Sequence, residues 1–218
     1  MKVVMTLQYF LKRSVLAVVL CTSAASSASA VGGAAGSSDW PCPQRKVATL
    51  GASDLQWQGT DPATIKGWRQ DADASALVKL IASRRTPMDD AVKALKAFAE
   101  KAPASERNAR LSVVFAGLLE TVNEYRSSVI VGIERFNKRQ KTRASEIEEE
   151  GTKLADLQKR AEKDAAVKVD YEKALELYEW NTRVFEERRQ NLPLACEIPP
   201  AIDGRTFDLV REIQGLMS

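Results

Sequence analysis

The residues with most chemistry to offer are two cysteines, Cys42 and Cys196, and four carboxylates, Glu146, Glu148, Glu149 and Glu150. A thiol pair in an exported chain closes a disulfide, whereas two cysteines alone make a poor metal site. We therefore expect a Cys42–Cys196 bridge. In the chain-entropy picture a loop of about 154 residues is worth roughly 5 kcal/mol. The carboxylates fall within one helical stretch, where Glu146 shares a face with Glu149 or Glu150. Such a face could attract a hard cation, but a single helix cannot wrap about six oxygens around one. The expected state is a solvated surface with pairs such as Arg143 with Glu146, and the expectation for metal and cofactor is none.

The chain contains no histidine. That removes Ser-His-Asp and Cys-His nucleophile systems, histidine-ligated metals and the usual haem attachment. No glycine-rich phosphate loop and no dinucleotide fingerprint is present. A glycosidase needs only two carboxylates, but it also needs a cleft to hold them, and a slender hairpin offers none. The expectation is a protein that is not an enzyme.

What remains is recognition. Arg139, Arg143, Glu146, Glu149 and Glu150 lie on one charged stretch, and Trp180 and Arg183 lie on the next. Tryptophan and arginine dominate binding hot spots, which makes these seven the candidate partner-binding residues. The competing expectation is that Trp180 packs on Trp57, Trp68 or the N-terminal segment. Basic and acidic blocks side by side argue against a nucleic-acid stripe. A polar boundary set, Arg126, Glu134, Arg135, Gln140 and Arg188, marks the base of the charged stretch, with Gln140 interrupting an apolar seam.

The elements that must position these residues are helices. From about Ser105 to Lys163, Leu111, Val114, Phe115, Leu118, Leu119, Val122, Tyr125, Val129, Ile130, Ile133 and Phe136 recur at steps of three and four. No proline occurs between Pro103 and Pro193. After Phe136 the stripe narrows to Ile147, Leu154, Leu157 and Ala161, a seam suited to one partner helix. Tyr171, Leu175, Tyr178, Phe185 and Leu192 supply that partner, in a helix of about Asp170 to Gln190. Charges at the helix ends place the turn near Ala165 to Val169 rather than at Gly151. Leu175 is then expected against Leu157, Tyr178 against Leu154 and Phe185 against Ile147.

Before the long helix we expect an extended segment pinned by Trp40-Pro41-Cys42-Pro43, and a short helix from Asp61-Pro62 carrying Ile65 and Trp68. A helix over 73–85 with Leu77, Leu80 and Ile81 inward follows, then a helix over 88–102 capped by Thr86. After the hairpin, Pro193 is expected to stop the returning helix and Glu197 to Pro200 to be extended. Asp203 or Thr206 then caps a last helix over 204–216.

At the N-terminus, Lys2, Lys12 and Arg13, the apolar run Val15 to Leu20, and the small residues Ser27 to Ala30 form a secretory signal. It is too short to persist as a membrane span. Cleavage after Ala30 would remove Cys21 and three basic residues, so the formal charge of +3 falls to zero. The basic precursor is therefore no argument for nucleic acid or acidic lipid.

The fold expected is all-α: residues 1–30 a signal, 31–60 an extended segment, and 61–218 one helical domain with an antiparallel, coiled-coil-like hairpin of about 137–190 projecting from a bundle. The function expected is that of a periplasmic or secreted adaptor or scaffold, binding another envelope protein through the charged hairpin, with homo-oligomerisation left open. The alternative is a bundle that binds a small ligand or metal ion under the tryptophan-rich segment.

Overall fold

The computed structural model describes residues 39–217, so the signal segment and the leader after it lie outside the described residues. The fold is all-α, a helical bundle with a long hairpin, and no strand occurs among the described residues. Among the described residues, five α-helices follow a 3-10 turn at Pro62–Thr64: α1 Ala72–Ala82, α2 Met88–Lys101, α3 Ala104–Ala161, α4 Ala165–Cys196 and α5 Ile198–Gly215.

Helix α3 has 58 residues, roughly 87 Å at 1.5 Å per residue. Its first third is the centre of the bundle. Leu111, Val114, Phe115 and Leu118 are fully buried among Val78 and Ile81 of α1, Leu95 of α2, and Leu209, Val210 and Ile213 of α5. Beyond Asn137, α4 is the helix that accompanies it, with Lys141 still reaching Asp39 of the N-terminal segment, and among the described residues Ile147 is the one buried apolar residue on that stretch. The sequence signal for α3, its length and its two-zone stripe therefore hold.

The core demands one close approach. Trp68 is buried flat against Gly117, where a Cβ would stand 2.8 Å from the indole and 3.0 Å from Val78. Its Nε1 donates to Glu120 at 2.6 Å, and Arg69 binds the same carboxylate. The Trp68 bond, then the Arg69 bonds, hold the Glu120 carboxyl below its ordinary range. Gly67, with φ of 80°, supplies the left-handed turn that delivers Trp68 to this place.

The extended N-terminal segment runs over the bundle without helix or strand, as expected. Its backbone groups are met by side chains of α3. Asn123 accepts from the Leu50 N–H and donates to the Leu50 carbonyl, and Asn137 donates to the Asp39 carbonyl. Arg126, 3% exposed, donates to the Val47 carbonyl and grips both carboxylate oxygens of Asp203 at 2.7 and 3.1 Å. Cys42 and Cys196 are bonded, with Cα atoms 5.5 Å apart. The bridge closes the base of the hairpin next to Ile133.

Several boundaries differ from the sequence reading. Asp164 accepts from the Ala166 N–H at 2.8 Å, so α4 starts at Ala165 and the turn is only residues 162–164. Pro193 does not stop α4 but lies inside it. An interior proline costs about 3 kcal/mol, yet the three residues beyond it are held by the disulfide and by Gln44, which donates to the Cys196 carbonyl. Glu197 bends the chain, and Ile198, Pro199 and Pro200 form the first turn of α5 instead of an extended segment. First-turn residues have no N–H to donate within the helix, so prolines fit there. Asp203 and Thr206 are consequently interior to α5. Asp203 serves Arg126, and Thr206 bonds back to Ile202. Thr86 does not cap α2: Pro87 takes the cap position and has no side-chain acceptor to offer, while the Thr86 carbonyl accepts from Arg205. Leu80 is exposed and Val78 takes its inward place. Ile65 and Trp68 lie beyond the 3-10 turn.

Two substitutions test this base. Gly117→Ala pits a helix-propensity gain of about 1 kcal/mol against overpacking of about 1–3 kcal/mol on a rigid indole. The expected outcome is a net loss of stability in urea melts, and a gain would mean Trp68 moves aside freely. Asp203→Asn leaves the Arg126 guanidinium buried and half-paired. Because Asp203 itself is partly exposed, the loss is about 2–3 kcal/mol, below the range for a fully buried pair.

Candidate functional site

The hairpin is the part of the chain with spare surface. Helix α4 packs on α3 along its length and on α5 only near its end. The inner seam holds Leu154, Leu157, Ala161, Tyr171, Leu175, Tyr178 and Phe185, all only half-buried, because a two-helix layer cannot cover them fully. Tyr178 lies over Gly151, where a Cβ would meet its hydroxyl at 3.3 Å. That is about one turn nearer the bundle than the expected contact with Leu154. The shorter turn at 162–164 is the reason.

The charged residues of α3 sort into two groups. Arg143 reaches Glu146 at 2.8 Å and Glu150 at 3.1 Å, and Glu150 accepts from Asn181 of α4 at 3.0 Å. The bond to Glu146, aided by Glu150, raises the Arg143 pKa further above its ordinary value. Arg143, Glu146 and Glu150 thus form a strut across the hairpin. Arg139 and Glu149 are exposed and make no ion pair among the described residues. The carboxylate run is dispersed by this arrangement, and among the described residues no group of three or more cysteines or carboxylates is placed to hold a metal ion.

Trp180 does not pack on Trp57 or Trp68. Trp57 stacks on Phe115 with ring centroids 3.9 Å apart, while Trp180 is 60% exposed on the outside of α4. It shares a shallow groove with Lys173, Glu176, Leu177, Glu179 and Arg183. The structure therefore joins Trp180 to Arg183 and separates both from the α3 charges. The four most exposed large apolar side chains among the described residues, Leu194, Leu177, Trp180 and Val169, are all on α4. Sequence reasoning missed Leu177, although Leu177, Trp180 and Val184 follow a spacing of three and four beside the inner seam.

The polar boundary set is mostly structural. Arg126 and Glu134 both bind the N-terminal segment, Glu134 through Lys46. Arg135 and Arg188 are exposed, and the Gln140 side-chain oxygen is buried with no protein partner. A cavity of about 270 Å³ near the disulfide is lined by Trp40, Val47, Arg126, Ile130, Pro199 and Asp203 among others.

The chain matches no known family model and has no significant match among curated proteins or solved structures. The arrangement must therefore be interpreted from its own geometry.

The strut is testable. Glu150→Ala removes acceptors from Arg143 and Asn181 at a half-exposed site, for about 1 kcal/mol. Hydrogen exchange is expected to accelerate in the α4 amides around Asn181, with α1, α2 and α5 unchanged. Uniform acceleration would show that the hairpin and bundle open as one unit.

Proposed function

We propose that this protein is a non-catalytic, exported helical adaptor or scaffold that binds another envelope protein through its hairpin. One observation carries the reading. The arm contributes almost nothing to the bundle core, yet it holds Leu177, Trp180 and Val169, three of the four most exposed large apolar side chains among the described residues. A segment kept only for stability would not spend Leu177 and Trp180 on solvent, and exposed apolar patches rimmed by charge mark interaction surfaces. The α3 side adds Arg139 and Glu149, without an ion-pair partner among the described residues, to complement a charged protein surface.

The exported setting is supported by the N-terminal signal pattern and by a disulfide that persists only in oxidising compartments. No helix among the described residues is long and apolar enough to cross a membrane. The lack of histidine supports a role without acid–base or metal chemistry. A second reading, small-ligand binding, is favoured only by the cavity beneath Trp40 and Arg126. Arg126 there already has its charge paired with Asp203 and a further N–H given to the Val47 carbonyl, so an anionic ligand would have to compete with Asp203.

Crosslinking in cells, followed by mass spectrometry, tests the proposal. Reproducible links from Lys138, Lys153 or Lys159 to one other protein are expected. Replacing residues 141–188 by a short linker is expected to abolish them. If every partner stays in place after that deletion, the hairpin is not the binding element.

A further inference from the structure

Helix α4 carries two apolar stripes. The inner one, Tyr171, Leu175, Tyr178 and Phe185, faces α3. The second, Leu177, Trp180 and Val184, lies roughly 140° round the helix at 3.6 residues per turn. Leu177 and Trp180 are each 60% exposed, and nothing among the described residues covers them. Spacings of four and three are those of a helix that pairs with another helix.

The charges along this stripe are patterned about Trp180. Lys173 lies seven residues before it and Glu187 seven after, with opposite signs. Glu176 lies four before and Arg183 three after, again with opposite signs. All four are exposed, and none has an ion-pair partner among the described residues. Other charges of the same helix do pair locally, Lys168 with Glu172 and Arg189 with Glu186. A helix whose charges invert about its central aromatic is complementary to itself turned end for end.

We propose that the outer face of α4 is a homodimer interface, with a second copy lying antiparallel across it and the two Trp180 side chains meeting at the twofold axis. Each Lys173 then faces the other copy's Glu187, and each Glu176 the other copy's Arg183, so every pair occurs twice. Leu177 and Val184 of opposite copies flank the tryptophans. A parallel pairing would instead set Lys173 on Lys173 and Glu176 on Glu176, which charge repulsion disfavours. This inference rests on the reading of the hairpin as a contact surface and assigns one helix of it. The charged α3 side is left for a different protein, so two arms would present two such sides.

The test is charge exchange, read by sedimentation equilibrium on disulfide-bonded protein purified from cells. Wild type is expected to be a dimer across the micromolar range. Glu176→Arg and Arg183→Glu are expected each to weaken association about tenfold or more, since each puts like charges together twice. Their helix content by circular dichroism is expected to be unchanged, because both positions are exposed. An equimolar mixture of the two single variants restores opposite charges across the axis, and the dimer is expected to return. Rescue by mixing separate chains would not follow from any role within one chain. A monomeric wild type, or single variants that dimerise as well as wild type, would overturn the inference. If that monomer still crosslinked to another protein through α3, the adaptor reading would stand alone. A dimer without such links would reverse that result.

Discussion

An unbroken helix of 58 residues extends roughly 87 Å, whereas the bundle core engages it only from Leu111 to Val122. Everything else in the molecule answers that mismatch. The apolar residues beyond Phe136 must be covered or left in water, and α4 folds back to cover them. Because only two helices meet there, the seam stays half-buried from Leu154 to Tyr171. The arm is held by a thin apolar line and by the Arg143–Glu150–Asn181 strut, not by a core.

The base of the arm compensates. There the N-terminal segment, α3, the end of α4 and α5 converge within a few side chains of Arg126. The segment has no helix or strand to satisfy its backbone, and buried backbone groups left unpaired are costly. Side chains of α3 do the pairing: Asn123 for Leu50, Arg126 for Val47 and Asn137 for Asp39. The disulfide adds a covalent tie from Cys42 to Cys196. The result is a firm root for a slender projection, which suits a module that must hold a surface away from its own bulk.

The surface so held is divided by chemistry. On α3 the acidic and basic blocks are partly consumed by internal pairs, leaving Arg139 and Glu149. On α4 Leu177 and Trp180 remain open, flanked by Lys173, Glu176, Arg183 and Glu187, which have no ion-pair partner among the described residues. Under the proposed adaptor reading, these are the groups offered to a partner. In the cavity by Arg126 the guanidinium is paired with Asp203.

How much of this was legible before the tertiary structure depends on the range of the interactions concerned. The extent of α3, the narrowing of its stripe, the return of α4 and the Cys42–Cys196 bridge follow from local periodicity, helix-end charges and cysteine arithmetic, which one-dimensional patterns carry. The prolines misled, because Pro193 is tolerated only where a disulfide and Gln44 hold the turn beyond it. Pro199 and Pro200 are helical because the chain bends at Glu197 and makes them a first turn. Asp203 looked like a cap until Arg126 claimed it from another helix. Trp180 was ambiguous for the same reason. Whether an aromatic packs inward or faces water depends on what stands across from it, and nothing does. By itself the sequence determined an all-helical chain, its long helix and its lack of histidine, since these depend on composition and spacing. Only the tertiary structure decided which charges are spent inside the arm and which face is left open, because pairing and burial are properties of residues far apart in the chain.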